Sequence, residues 1–238
     1  SALSAISGSL GTVIPPSITF IIYGMITGES IGDLFLSGII PGLIFGFMLC
    51  IMVFIKSKKN GWKGETQRAS LKEIGRLFLD TIWGLLSPVI VLGGIYSGLF
   101  TPTEAAAVAV VYSLIVGIFI YKELRLAELK ETLFSTAKTT GMILLIIMNA
   151  GIFSWVLTQQ GIAASLTEMA LALTDNKYIM LVIINIVFLC AGCVMDNTSA
   201  LYILVPIIMP IAKALDINMI QLGVILVLNL SIGQVTPP

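Results

Sequence analysis

Histidine is absent from the 238 residues of this chain, and charged residues make up only 11% of it. Without imidazole, histidine metal ligands, Ser-His nucleophile activation and histidine proton relays are excluded. An ordinary soluble domain carries about 25% charged residues, so water is not the main solvent of this chain. The 13 basic and 13 acidic residues balance to a net charge of zero. That balance argues against a nucleic-acid partner.

Cysteine is also scarce, with three residues in the chain. Cys190 and Cys193 have the spacing of a thioredoxin-type motif, but they lie within a long apolar run and outside any βαβ pattern. We interpret them as small residues of a packed helix.

Long hydrophobic runs are what the sequence has in abundance. Hydrophobic residues make up 57% of the chain, and its mean hydropathy is +1.03. Leu34 to Ile55 holds 22 consecutive residues without a charge, and residues 81–102 and 105–121 are similar. Each run can cross a hydrocarbon core, which needs roughly 20 apolar residues. A signal peptide does not explain runs that recur along the whole chain. We therefore predict an all-α polytopic membrane protein.

Neither end of the sequence is typical of a complete membrane protein. The first residue is Ser1 rather than methionine, and the chain stops on Pro237-Pro238 directly after an apolar run. We therefore expect both ends to lie inside a longer protein.

The placement of charges predicts the topology. Residues 56–68 carry five cations and one glutamate, so the positive-inside rule places this loop in the cytoplasm. Residues 122–138 predict an amphipathic interfacial helix on the same side. Residues 70–80 predict a helix along that surface before the next span. The turns at residues 28–33 and 101–104 then lie on the far side, and residues 139–157 form a further span.

Two apolar arms, residues 178–195 and 199–215, are separated by Asp196, Asn197 and Thr198. They predict either two tight spans or one re-entrant hairpin. An ionisable group between apolar arms is expensive and by default functional. The alternative is a loop at the membrane surface, where an aspartate is cheap. Glu104 is equally ambiguous, because it follows Pro102 where a helix would begin.

A short repeat breaks an apolar segment near each end of the chain. Residues 9–16 (SLGTVIPP) match residues 231–238 (SIGQVTPP) at five of eight positions. A Pro-Pro pair removes backbone donors and unwinds a helix, and unwound backbone persists at membrane depth only where protein, water or an ion satisfies it. By the predicted topology the two copies run in opposite directions. Inverted repeats with broken helices indicate a secondary transporter, whereas a simple proline kink is the alternative.

These motifs resemble a known family, the large membrane subunit of TRAP transporters, the tripartite ATP-independent periplasmic carriers often called dicarboxylate permeases. The resemblance is carried by residues 11–18 (GTVIPPSI), 39–43 (IIPGL), 94–106 (GIYSGLFTPTEAA) and 233–238 (GQVTPP). They follow one another in the family's order, and the run TPTEAA is distinctive.

The resemblance implies an elevator-type carrier, not an enzyme, in a bacterial or archaeal cytoplasmic (inner) membrane. It implies sodium-coupled uptake of organic acids, such as C4-dicarboxylates or sialic acid, with a small membrane subunit and a periplasmic binding protein as partners. Residues 1–55 would be the end of a first inverted repeat and residues 56–80 a basic cytoplasmic loop with its interfacial helix. Residues 81–238 would be the second repeat, with a re-entrant hairpin at about 178–216 and a broken helix at 217–238.

Freed carbonyls and nearby hydroxyls suit a hard cation, and sodium is the one cofactor-like ion that we expect. We predict that it is held by carbonyls near Gly11, Gly192 and Gly233 and by the hydroxyls of Ser17, Thr198 and Thr236. The full predicted ion and substrate site comprises Gly11, Thr12, Pro15, Pro16, Ser17, Gly192, Asp196, Asn197, Thr198, Ser199, Gly233, Thr236 and Pro237.

Three other functions remain open from the sequence. The first is an anion carrier of the ion-transporter superfamily that needs no binding protein. The second is an intramembrane enzyme using Asp196, although aspartyl chemistry needs a second facing carboxylate and none lies deep in a span. The third is a channel or a purely structural membrane subunit.

Overall fold

The computed structural model describes residues 2–61 and 70–236, and every regular element within these ranges is helical. Lys63 and Arg68 of the predicted basic loop, and Pro237 of the predicted site, lie outside the described residues. The helices of the described ranges, in chain order, are α1 (Ala2–Ser9), α2 (Ile18–Thr27), α3 (Ile31–Lys59), α4 (Leu71–Tyr96), α5 (Pro102–Ile115), α6 (Leu126–Gln159), α7 (Ile162–Leu173), α8 (Lys177–Val194), α9 (Asn197–Ala214) and α10 (Met219–Gly233).

Six of the described helical segments are long and apolar enough to cross a membrane. They are α3, α4, α5 with the π turn Val116–Ile120 that continues it, residues 128–159 of α6, α8 and α9. The segment α7 is too short for a span, as its sequence indicates. Large apolar side chains on the long helices remain exposed, including Phe47 and Met148 at 68% each. An all-α polytopic membrane chain is therefore confirmed.

The two stretches that predict surface helices are joined without a break to the spans that follow them. Helix α4 starts at Leu71 and runs for 26 residues, and α6 starts at Leu126 and runs for 34 residues. No proline or glycine stands within residues 76–83 or 130–140. Because nothing interrupts the backbone hydrogen-bond ladder at these junctions, each amphipathic stretch forms the first turns of a long helix.

The described chain divides into two compact units, residues 1–49 with 140–238 and residues 50–139. In the first unit α2 packs on α9 and α10, α8 packs on α10, and α7 packs on α9. The N-terminal half of α3 joins this core, where Phe35 meets Phe20 edge-on with ring centroids 6.5 Å apart. The predicted breaks and the hairpin all belong to this unit.

In the second unit α4 and α5 form an antiparallel pair. The hydroxyl of Tyr112 donates to the carbonyl of Trp83 (2.6 Å), and the hydroxyl of Tyr121 donates to the carbonyl of Asp80 (3.0 Å). Thr101 and Glu104 form a capping box at the start of α5, in which Thr101 N donates to Glu104 Oε2 (2.8 Å). Glu104 therefore has the helix-start role that the sequence left open.

Candidate functional site

The first Pro-Pro break separates α1 from α2. The chain passes from α1 through a 3₁₀ turn, Leu10–Thr12, into residues 13–17, which are not helical. The Pro15–Pro16 peptide bond is cis. Ser17 begins the next helix, because its Oγ accepts from Phe20 N (3.5 Å). The same hydroxyl donates to the carbonyl of Thr12, so the buried Ser17 side chain bridges the two sides of the break.

A glycine face of α3 receives this broken segment. A Cβ on Gly38 would lie 3.2 Å from the carbonyl oxygen of Val13, and one on Gly42 would lie 3.0 Å from the side chain of Ile14. Small residues allow backbone to approach closely within a membrane bundle. Unwound backbone within a bilayer must be enclosed by protein or water, and the glycines of α3 shield the side of the break that faces them.

The two repeat copies contact each other through buried polar groups. Thr12 Oγ1 and Ser231 Oγ are 2.6 Å apart, and the Ser231 hydroxyl also donates to the carbonyl of Val227 (2.7 Å). Eleven residues further along, the hydroxyl of Tyr23 donates to the carbonyl of Met219 (2.6 Å). The chain number rises along the first copy and falls along the second. The segments therefore pack antiparallel, as the charge-based topology requires.

Helix α10 ends at Gly233, where the sequence predicts the second break. Thr236 N donates to the carbonyl of Gly233 (2.9 Å), and the Thr236 hydroxyl donates to the carbonyl of Ile232 (2.9 Å). The exposed Thr236 side chain thus closes the last turn of its own helix.

Helix α8, the first arm of the predicted hairpin, packs closely on α10. A Cβ on Gly233 would lie 2.6 Å from the carbonyl oxygen of Leu189 and 2.8 Å from the Cα of Gly192. Asn185 lies on α8 two turns before Gly192, and its side-chain oxygen accepts from the side-chain amide of Asn229 on α10 (2.5 Å). Both contacts advance in the same direction along the chain, so α8 and α10 run parallel.

The hairpin turns at two residues, Met195 and Asp196, between α8 and α9. Asp196 is the N-cap of α9: its Oδ2 accepts from Ser199 N (3.1 Å) and its Oδ1 from the Ser199 hydroxyl (2.6 Å). Asn197 is only 8% exposed, and its side-chain oxygen is buried without a hydrogen-bond partner. An unpaired buried acceptor is unfavourable, so a ligand that approaches this oxygen is favoured.

Because of these helix directions, four helix ends lie at the same end of the first unit; we call this end the level of the breaks. Since α2 opposes α10 and α8 runs with it, α2 and α9 begin at the end of the bundle where α8 and α10 finish. Helix α2 has 10 residues and α10 has 15, which places the breaks about 15–22 Å from the opposite helix ends. Helix N-termini carry partial positive charge and C-termini partial negative charge, so this level offers sites for both an anion and a cation.

The structure brings together part of the predicted site. Thr12 and Ser17 are joined across the first break, and Gly192 meets Gly233. Asp196, Asn197, Thr198 and Ser199 form the tip of a hairpin whose arms pack on α10 and α2. Pro15 is buried in the first break, whereas Gly11 and Pro16 are exposed.

Sequence reasoning missed the polar residues that connect these elements. Ser231 stands inside the aligned repeat but is not among the predicted site residues, and no motif in the sequence pairs Asn185 with Asn229. The signal that could have found them is a polar side chain within an otherwise apolar helix. Among residues 2–61 and 70–236, no group of three His, Cys, Asp or Glu side chains could hold a metal ion. The oxygen donors near the hairpin tip are backbone carbonyls, hydroxyls, the side-chain amide of Asn197 and the carboxylate of Asp196.

Comparisons with known proteins agree on one family. Residues 1–238 match the family described as "Tripartite ATP-independent periplasmic transporter, DctM component". The chain is 43% identical over 232 residues to the C4-dicarboxylate TRAP transporter large permease protein DctM of Pseudomonas aeruginosa, covering 98% of this chain and 54% of that protein. It is 38% identical over 236 residues to the sialic acid TRAP transporter large permease protein SiaM of Vibrio cholerae, covering 99% and 55%.

A third relative is the isethionate TRAP transporter permease protein DctMQ of Oleidesulfovibrio alaskensis. It is 40% identical over 237 residues, covering 100% of this chain and 37% of that protein. The chain therefore spans about half the length, or less, of the curated relatives it matches.

Proposed function

Because this chain belongs to the DctM family of tripartite ATP-independent periplasmic transporters, we propose that it forms part of the large permease subunit of a sodium-coupled organic-acid carrier. The carrier would take a C4-dicarboxylate, a sialic acid or a similar organic anion from a periplasmic binding protein. A small membrane subunit would complete the assembly in the cytoplasmic (inner) membrane. The relatives' names specify different organic anions, so the proposal is for the substrate class and not for one compound.

The observation that carries the proposal is the hairpin tip beside the two breaks. The buried side-chain oxygen of Asn197 has no partner, and it belongs to the same end of the bundle as the Thr12–Ser231 bond and the Gly192–Gly233 contact. An oxygen-only donor set of this kind suits a hard cation such as sodium. In broken-helix carriers, half-helix C-termini and unwound carbonyls hold the cation, whereas half-helix N-termini face the anionic substrate.

By this reasoning the C-terminal ends of α8 and α10 would supply carbonyls to sodium. The N-terminal end of α2, which Ser17 caps, would face a substrate carboxylate, whereas the Asp196 carboxylate at the start of α9 would attract sodium. The hydroxyls of Thr198 and Thr236 remain proposed sodium ligands; that of Thr236 would have to leave the carbonyl of Ile232. The hairpin would be re-entrant in this arrangement, with its tip inside the bilayer rather than on its surface.

The test is uptake by the complete transporter in proteoliposomes, with its binding protein present and with or without a sodium gradient. Labelled C4-dicarboxylate and sialic acid would be supplied in separate experiments. We expect accumulation of one organic anion only when sodium is high outside. Uptake that is equal with and without a sodium gradient would refute sodium coupling. Uptake at full rate without the binding protein would favour the binding-protein-independent carrier.

Variants of the tip separate charge from helix capping. Asp196→Asn keeps an oxygen that can accept from Ser199, whereas Asp196→Ala removes the cap. If the carboxylate charge attracts sodium, both variants weaken sodium-dependent uptake. If capping alone matters, Asp196→Asn transports normally. Asn197→Leu keeps the side-chain size but removes the unpartnered oxygen, and we expect at least a tenfold rise in the sodium concentration for half-maximal uptake.

A further inference from the structure

A polar pair on α8 and α10 lies outside every predicted site residue. The side-chain amide of Asn229 donates both to the side-chain oxygen of Asn185 (2.5 Å) and to the carbonyl of Ile225 on its own helix (2.9 Å). The amide of Asn185 donates in turn to the carbonyl of Leu181 (2.7 Å). Both asparagines are only partly exposed within helices that are otherwise strongly apolar.

The Gly192–Gly233 contact sets how closely α8 approaches α10. There the two backbones meet directly, with the Cα atoms of both glycines and the carbonyl oxygens of Leu189 and Leu230 at the contact. A slip by a full turn would bring side chains into this contact. The other facing side chains are as apolar as lipid tails, so they add little directional preference. A side-chain hydrogen bond between asparagines is directional, and a single buried asparagine pair is known to set the register of paired helices.

Register matters here because the hairpin tip is attached to α8. Asn185 precedes Gly192 by seven residues, which is about two helical turns, and the tip follows within one further turn. A slip of one turn along α10 would move the tip by about 5.4 Å relative to the second break. Ion ligands must hold their positions to a few tenths of an ångström, so such a slip would destroy a site shared by the tip and the break.

We propose that the Asn185–Asn229 hydrogen bond, together with the glycine contact, sets the register of α8 on α10 and thereby positions the hairpin tip against the second break. The pair acts through the helices and does not itself contact the ion or the substrate. Its consequence for sodium rests on the function proposed above, whereas its effect on register does not.

Register is tested first, without transport. In the complete transporter with Cys50, Cys190 and Cys193 replaced by alanine, Leu181→Cys and Ile225→Cys place a thiol one turn before each asparagine. We expect efficient cross-linking of this pair when both asparagines are present. Asn185→Leu and Asn229→Leu should each lower it roughly threefold to tenfold, the range that one interhelical hydrogen bond in a membrane supports. The double variant should lose little more than either single one.

Sodium-dependent uptake is the second readout. We expect the asparagine variants to raise the sodium concentration for half-maximal uptake several-fold, with the maximal rate per inserted molecule nearly retained. Thr158→Val is the control, because it removes a polar group that donates only within its own helix, to the carbonyl of Ser154 (2.9 Å). A merely structural pair would lower the amount of inserted protein without changing sodium affinity.

Unchanged cross-linking in both asparagine variants would overturn the proposal, even if uptake falls. Reduced cross-linking with unchanged sodium affinity would overturn the link between register and the site. If cross-linking falls in the asparagine variants but uptake by the wild-type carrier does not depend on sodium, the register role is supported and the proposed sodium coupling is refuted.

Discussion

The Gly192–Gly233 contact yields the sharpest prediction, because a methyl group added at Gly233 would collide with the backbone of α8. In Gly233→Ala the new Cβ would lie 2.6 Å from the carbonyl oxygen of Leu189 and 2.8 Å from the Cα of Gly192. Both neighbours are backbone atoms, so no side chain can rotate away. An ordinary contact begins at about 3.4 Å, so α8 and α10 must separate by about 0.8 Å.

The cost follows from packing. Forcing one extra methyl group into a close-packed contact costs about 1–3 kcal/mol, whereas alanine regains at most about 1 kcal/mol of helix propensity over glycine. We therefore expect Gly233→Ala to lower the free energy of unfolding by about 1–2 kcal/mol. Gly151→Ala is the matched control: Gly151 lies inside α6, and a Cβ there would meet nothing within 4 Å. That variant should be neutral or slightly more stable.

The assay has two parts. Unfolding of the purified transporter in mixed detergent, followed by the loss of helical circular dichroism, measures the stability difference between the two glycine variants. Uptake at graded sodium concentrations measures whether the separation of α8 from α10 also weakens ion binding. If Gly233→Ala is as stable as Gly151→Ala and binds sodium equally well, the close approach of these helices is not a feature of the working protein.

Three further variants test other contacts. Thr12→Val removes the bond to Ser231, and unfolding in detergent should show a loss of about 0.5–1.5 kcal/mol; a stability equal to that of Thr158→Val would contradict the link between the two repeats. Thr101→Ala removes the cap of α5 and should cost about 0.5–2 kcal/mol, whereas retained stability would rule out the capping role. Tyr112→Phe loses the bond to the carbonyl of Trp83 and should cost about 1 kcal/mol, with the exposed Tyr178→Phe as a neutral reference.

Much of the fold could be predicted from local sequence properties. The span within α3, the shortness of α7 and the two arms around Asp196 follow from run length and hydropathy, because the thickness of a bilayer sets how many apolar residues a span needs. The first break at Pro15 and Pro16 follows equally directly from proline chemistry. The amphipathic stretches at the start of α4 and α6 were predicted as separate surface helices, but each is continuous with the span that follows it. Amphipathicity indicates which face of a helix is polar, but not whether the helix bends where it meets the apolar run.

The candidate site was only partly predictable. The repeat motif identified the breaks, but it could not show that Asp196 caps α9 through Ser199 or that Thr236 closes the last turn of α10. Hydroxyl and carboxylate side chains can bind an ion, but they also form hydrogen bonds with the unpaired backbone groups at helix ends. Only the local backbone geometry decides between the two uses.

The sequence by itself determined that this chain is a multi-pass membrane protein with broken helices, because apolar length and proline position are properties of single segments. Tertiary structure alone decided which segments meet. Thr12 reaches Ser231 across 219 residues, Gly192 touches Gly233, and the side-chain oxygen of Asn197 is buried without a partner. Lipid tails are as apolar as leucine side chains, so hydropathy does not determine which helix faces pair in a membrane. Small residues and a few directional polar contacts determine the pairing instead.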